Sequence, residues 1–150
     1  MSDNGNVGIN TTEPQATLEV AGTTSSKARI GALVGKELGD GTWKEILSGQ
    51  KTPQVLEVVA RIDGAKGSGK YALTHAIVLI PYGKSRYRIK QTQAYFRWFW
   101  DRIELRCHGE IQNFSLQIRT RSEYKDSDGS YLNIKYHITQ LWDDKLFESL

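Results

Sequence analysis

The sequence predicts a mainly β fold: an antiparallel β-sandwich head preceded by a short Gly/Asn/Thr-rich, fibre-like N-terminal segment. Three observations predict it. Apolar residues in the second half alternate at period two, turn-forming residues separate the alternating runs, and a helical period is nearly absent. The 150 residues suffice for one compact core and a small appendage.

Three zones follow in chain order. Residues 1–30 are rich in Gly, Asn, Thr and Ser, with one short alternation, Leu18-Glu19-Val20, and read as an assembly segment. Residues 31–53 mix glycine with isolated anchors, Leu33, Val34, Leu38, Trp43, Ile46 and Leu47, and read as a connector, with one helical turn over 43–47. Residues 54–150 read as the head. In 55–62, Leu56, Val58, Ala60 and Ile62 share a face opposite Glu57 and Arg61. The run 71–80 is apolar on nearly both faces, the pattern of a central strand covered on each side. Ile103, Leu105 and Cys107 alternate with Arg102, Glu104, Arg106 and His108; Phe114, Leu116 and Ile118 alternate with Ser115, Gln117 and Arg119. A fifth run sets Leu132, Ile134, Tyr136 and Ile138 against Asn133, Lys135, His137 and Thr139. Turns such as Asp126-Ser127-Asp128-Gly129 join such runs into a sandwich. The acidic stretch 143–150 could form a final helical turn.

Composition narrows the function. The apolar run 76–80 holds five residues, far below the ~20 of a membrane helix. The first residues carry neither a basic region nor an apolar one, so no Sec signal is expected there. A lone cysteine, Cys107, makes no internal disulfide and reads as a buried small hydrophobe. The net charge of +3 is uneven: Lys84, Arg86, Arg88, Lys90, Arg97, Arg102 and Arg106 face only Asp101 and Glu104 within that stretch. Such a distribution suits subunit contacts as readily as an anionic partner.

No assembled chemistry emerges. Residues 64–70, Gly-Ala-Lys-Gly-Ser-Gly-Lys, fit G-x-x-x-x-G-K, but Tyr71 stands where a phosphate-binding loop needs Ser or Thr for Mg²⁺. A strand also follows, where that loop needs a helix N-terminus. The segment therefore reads as a hairpin loop. His75, His108 and His137 are dispersed and lack a carboxylate pattern, so no metal is expected. There is no G-x-S-x-G elbow and no activating neighbour for Cys107. The expectation is a protein that binds or builds, with no catalytic residues and no cofactor.

The segment 95–101 carries five aromatics in seven residues. Read as a strand, it would send Tyr95, Arg97, Phe99 and Asp101 one way and Phe96, Trp98 and Trp100 the other. Three uses stay open: core plus a subunit interface, a sugar-stacking platform, or, with nearby arginines, a surface for single-stranded nucleic acid. Tyr95, Arg97, Trp98, Trp100, Arg86 and Arg88 are the candidate binding residues.

The segment Gly5-Asn6-Val7-Gly8-Ile9-Asn10-Thr11-Thr12-Glu13-Pro14-Gln15-Ala16-Thr17-Leu18-Glu19-Val20-Ala21-Gly22 resembles a motif common in phage tail fibres and bacterial surface adhesins. Its usual form is N-V-G-I-G-T-T-x-P-x-A-x-L-x-V-x-G. Here Asn10 replaces a glycine, which works if its φ is positive. Val7, Ile9, Leu18 and Val20 are too few to form a core within one chain, whereas three copies around an axis could bury them together. The resemblance implies a homotrimer that contacts other particle subunits, on a phage or a phage-like contractile injection system. It implies assembly in the cytoplasm and a place on an extracellular particle. A lectin-like glycan-binding module and a polyanion-binding β domain are the alternatives; a flexible N-terminal arm is the plain reading of residues 1–22.

Overall fold

The structure, a computed structural model, describes residues 5–26, 30–50, 54–80, 87–110 and 113–142. These divide into an N-terminal unit within Met1–Arg29 and a second unit, Ile30–Trp142.

In the N-terminal unit, β1 (Val7–Ile9) and β2 (Leu18–Val20) pair in parallel, Val7 opposite Leu18 and Ile9 opposite Val20. Residues 10–17 form the crossing between them. Asn10 adopts φ 61° and its side-chain amide donates to the Ala21 carbonyl at 3.0 Å, which meets the condition set by glycine at this place in the motif. A Cβ on Gly8 would run into the Thr11 carbonyl, so the close return of the chain requires glycine there.

Among its described residues the second unit contains eight strands in two antiparallel sheets. One has the order β3 (Leu33–Leu38), β10 (Asn133–Gln140), β5 (Gln54–Asp63), β6 (Tyr71–Ile80), β7 (Arg88–Tyr95). The other has the order β4 (Lys44–Gln50), β9 (Asn113–Thr120), β8 (Ile103–Glu110). Period-two alternation places Leu56, Val58, Ala60 and Ile62 of β5, and Ala72, Ala76, Val78 and Ile80 of β6, on one inner face. Ile103, Leu105 and Cys107 of β8 and Phe114, Leu116 and Ile118 of β9 form the opposing face. Ile134, Ile138 and Tyr124 complete the core. Mainly β architecture with antiparallel sheets is therefore what the alternation predicted.

Several local expectations change. The stretch 31–53, read as a connector, supplies β3 at one edge of the larger sheet and β4 at one edge of the smaller. Bulges between Glu45 and Leu47 and between Leu47 and Gln50 put Ile46 and Leu47 both against the core. That breaks the alternation, which is why 43–47 looked like a helical turn. The strand β7 escaped notice because its inward positions include Gln91. The Gln91 amide donates to the Thr74 hydroxyl at 2.7 Å and to the Ile103 carbonyl at 2.9 Å, tying the two sheets together with polar atoms. The turn expected over 143–150 lies outside the described residues.

The strand β6 is covered on one face only. Tyr71, Leu73, Ile77 and Leu79 point outward and are 40–46% exposed. The expectation of burial on both faces fails because, among the described residues, no layer of this unit lies over that side of the sheet.

Two outcomes check this packing. Ile118→Ala, at the centre of the core, lowers the free energy of unfolding by about 2–5 kcal/mol in urea titrations. The Cys107 thiol, pushed up to about 11 by burial, stays unmodified by iodoacetamide at pH 8 in the native state and reacts once the chain is unfolded.

Candidate functional site

The aromatic run 95–101 is a loop, not a strand. Tyr95 ends β7, Phe96 N–H donates to the Tyr71 carbonyl at 2.9 Å, and Arg97 then takes φ 83°, which turns the chain out of the ladder. The chain closes on itself where the Asp101 N–H donates to the Trp98 carbonyl at 2.8 Å. The result is a display: Phe96, Trp98, Phe99 and Trp100 are each at least half exposed. Trp98 and Trp100 stack on each other, ring centroids 5.6 Å apart at 10°.

Asp101 anchors that loop and is 2% exposed. One carboxylate oxygen accepts from the Ser122 hydroxyl at 2.7 Å and meets the Lys70 ammonium at 3.2 Å; the other accepts the Trp98 N–H at 3.3 Å. The Tyr124 hydroxyl donates to the Asp101 backbone carbonyl at 2.7 Å. Burial by itself would raise the Asp101 pKa, but the Ser122 hydroxyl and the Lys70 ammonium outweigh it and hold the carboxyl below its usual range. Burial, with the Asp101 charge adding to it, pushes the Tyr124 phenol up.

Lys70 is the lysine of the G-x-x-x-x-G-K stretch, and its role is now explicit. Residues 64–70 join β5 to β6; the Gly64 N–H donates to the Lys70 carbonyl at 2.6 Å, with Gly67 and Gly69 at φ 81° and 64°. The ammonium donates to the Glu123 carbonyl at 2.5 Å and sits 4.2 Å from the centre of the Tyr124 ring. The lysine therefore points into the anchor of the aromatic loop, not toward a phosphate.

The candidate binding residues do not all converge. Tyr95, Arg97, Trp98 and Trp100 share the loop. Arg88 starts β7 while Tyr95 ends it, about 23 Å away at ~3.3 Å per residue. Arg86 lies outside the described residues, as does Lys84. The basic stretch is dispersed: Arg88 and Lys90 sit on the outer face of the larger sheet, opposite Leu79 and Ile77, and Arg102 and Arg106 belong to the smaller sheet. The histidines also diverge. His75 meets Glu57 at 3.0 Å, His137 accepts the Gly31 N–H at 3.0 Å, and His108 is on the other sheet.

Two apolar surfaces stand out. In the N-terminal unit Val7, Ile9 and Leu18 are exposed, Leu18 by 60%. On the outer face of the larger sheet, Val34, Val59 and Leu73 with Ile30 and Tyr136 line a hollow of about 370 Å³. Sequence reasoning missed this face, because a run apolar on both sides reads as doubly covered. It also missed Trp43, Phe99, Arg119 and Arg121, whose rings and guanidinium groups meet on the smaller sheet. Their polar alternation was visible, but which neighbours they would meet was not.

Fold and loop together define an antiparallel β-sandwich that displays an aromatic loop. No family model matches the sequence, and no curated protein matches it. Among solved structures the chain is similar to the crystal structure of the Acinetobacter baumannii phage AM24 tailspike protein, at 7% sequence identity and a TM-score of 0.42. That alignment covers 83% of this chain and 30% of the tailspike chain, so this chain spans under a third of that protein's length.

Replacing the loop anchor tests its strength. Asp101→Ala leaves the Lys70 ammonium partly buried without its carboxylate and costs about 3–5 kcal/mol of stability at pH 7. Because the folded pKa of Asp101 is lowered, its ionic contribution is complete above the unfolded value of about 4 and fades as pH falls through the folded value. The stability gap between wild type and variant therefore narrows in urea titrations repeated below pH 4.

Proposed function

We propose that the chain is a non-enzymatic structural and receptor-binding subunit, a tail fibre or adhesin, of a phage or phage-like contractile injection particle. In this reading it is a homotrimer, assembled in the cytoplasm and carried on the extracellular particle among other subunits. Residues 1–30 serve assembly and the sandwich serves as the head.

One observation carries the proposal: Val7, Ile9 and Leu18 stay exposed on a parallel pair of three-residue strands. A two-stranded element of that size is marginal alone and gains stability by burying its apolar side against copies of itself. The resemblance of residues 5–22 to the fibre motif supports the same reading, including the positive φ at Asn10. The outward Leu73, Ile77 and Leu79 add a second surface suited to subunit contact. The non-enzymatic part is supported by Lys70, whose ammonium is committed to Asp101 and Glu123.

A lectin-like role for the head is the second reading. It is favoured by the stacked, half-exposed Trp98 and Trp100, which offer flat apolar rings beside Arg97. The two readings are compatible, since recognition would be the work of the tip.

Sedimentation equilibrium on the full chain at micromolar concentration tests the assembly. A trimer is expected, and the double variant Ile9→Asp/Leu18→Asp dissociates it while far-ultraviolet circular dichroism of the sandwich is unchanged. Wild type behaving as a clean monomer sinks the proposal.

A further inference from the structure

The outer face of the smaller sheet gathers more positive charge than it neutralises. Inward packing of Ile103, Leu105, Leu116 and Ile118 leaves Glu104, Arg106, Gln117 and Arg119 facing outward, with Arg102 and Arg121 continuing the rows beyond the strand ends. The register sets Glu104 opposite Arg119 and Arg106 opposite Gln117. Glu104 accepts from Arg102 at 2.8 Å on one oxygen and from Arg119 at 2.7 Å on the other, with Arg121 at 3.6 Å. Burial tends to raise its pKa, and the two closer guanidinium groups override that and lower it. Its capacity is used. Glu45, across β9 from β8, and Glu110, at the end of β8, are the other carboxylates on this face among the described residues, and both are exposed, so four arginines meet three carboxylates.

Arg106 differs from its neighbours. Its Nε donates to the Gln117 side-chain oxygen at 2.8 Å, and its guanidinium lies 4.2 Å from the Trp43 ring centre. No carboxylate among the described residues pairs with it. The Arg119 guanidinium lies over the same indole at 4.4 Å, so two like charges share one ring. At the other end of the row Phe99 faces Arg102 at 4.2 Å and Arg121 at 5.3 Å. Each ring offers a cation about 0.5–1 kcal/mol or somewhat more at such half-buried positions, which orients the guanidinium groups without neutralising them. The side chains are thus held in place while their charge remains available, the arrangement that lowers the entropic cost of capturing an anion.

We propose that this face, from Trp43 through Arg106 and Arg119 to Phe99, binds a carboxylate-bearing saccharide. The planar carboxylate takes a forked pair of hydrogen bonds from the terminal Nη groups of Arg106. The sugar ring lies along the row toward Phe99, whose ring is half exposed. A nucleic-acid strand fits less well. Its closely spaced phosphates would meet Glu104 in the middle of the row, and Trp98 and Trp100 already stack on each other, leaving no slot between them for a base to insert. The site lies within one sandwich and does not depend on the trimer.

Isothermal titration and the Trp43 indole N–H resonance read out binding on the full chain. The probes are glucuronate, sialyllactose and an oligogalacturonate, with the methyl-esterified oligomer as the uncharged counterpart. At least one acidic probe is expected to bind and shift the Trp43 signal, while the ester does not. Arg106→Gln, which keeps the bond to its neighbour sterically possible, weakens that binding about tenfold or more, the loss expected for one charge-assisted fork. Arg88→Gln, on the other sheet, leaves it unchanged. No binding by any of the three acidic probes, equal binding of the ester, or wild-type affinity in Arg106→Gln overturns the site. Tighter binding of oligothymidylate than of every saccharide also overturns it, in favour of nucleic acid.

Discussion

Asp101 is the interaction on which one end of the sandwich depends. Three connections meet at this carboxylate and its peptide group: the β5–β6 loop through Lys70, the aromatic loop through Trp98, and the β9–β10 connection through Ser122 and Tyr124. Two of these connections pass from one sheet to the other. A buried ion pair is weak evidence of net stability, but it imposes geometry, because a displaced partner leaves a charge without solvent or counterion. Here the geometry imposed is outward: satisfying Asp101 from inside frees Phe96, Trp98, Phe99 and Trp100 to face water.

The exposure that results is uneven, and the unevenness carries the functional argument. Loops rich in aromatics normally turn inward, since each ring buried removes a large apolar area from water. This loop does the opposite, as does the outer face of β6. The outer face of the smaller sheet solves the same problem with charge, laying arginines over Trp43 and Phe99 so that the rings are covered by guanidinium groups instead of by core. One sandwich therefore has a greasy outer face, a cationic outer face and an aromatic tip, three surfaces with distinct partner chemistry.

Much of this was legible in the chain itself. The strands β5, β8, β9 and β10 follow from strict alternation, because a pleated strand half buried against one core has no other way to distribute its residues, and β6 follows from a short run apolar on both faces. Asn10 was legible too: only a residue tolerant of positive φ fits where the motif wants glycine. Failures came where a second constraint overrode alternation. Bulges scrambled it in β4, and the inward Gln91, which bonds across to the other sheet, disguised β7. Gly35 weakens the β3 signal, yet it is the residue that lets the Tyr136 ring lie close over the edge strand.

By itself the sequence determined an all-β chain with antiparallel sheets and marked a cluster of aromatics needing explanation. Tertiary structure decided what those residues do. Whether 95–101 is a strand or a display loop depends on Lys70 reaching Asp101 from thirty-one positions earlier in the chain. Whether a doubly apolar strand is covered or exposed depends on how many layers the unit has. Alternation records only which side of a strand a residue occupies; what stands on that side is set by partners distant in sequence, and no local pattern encodes them.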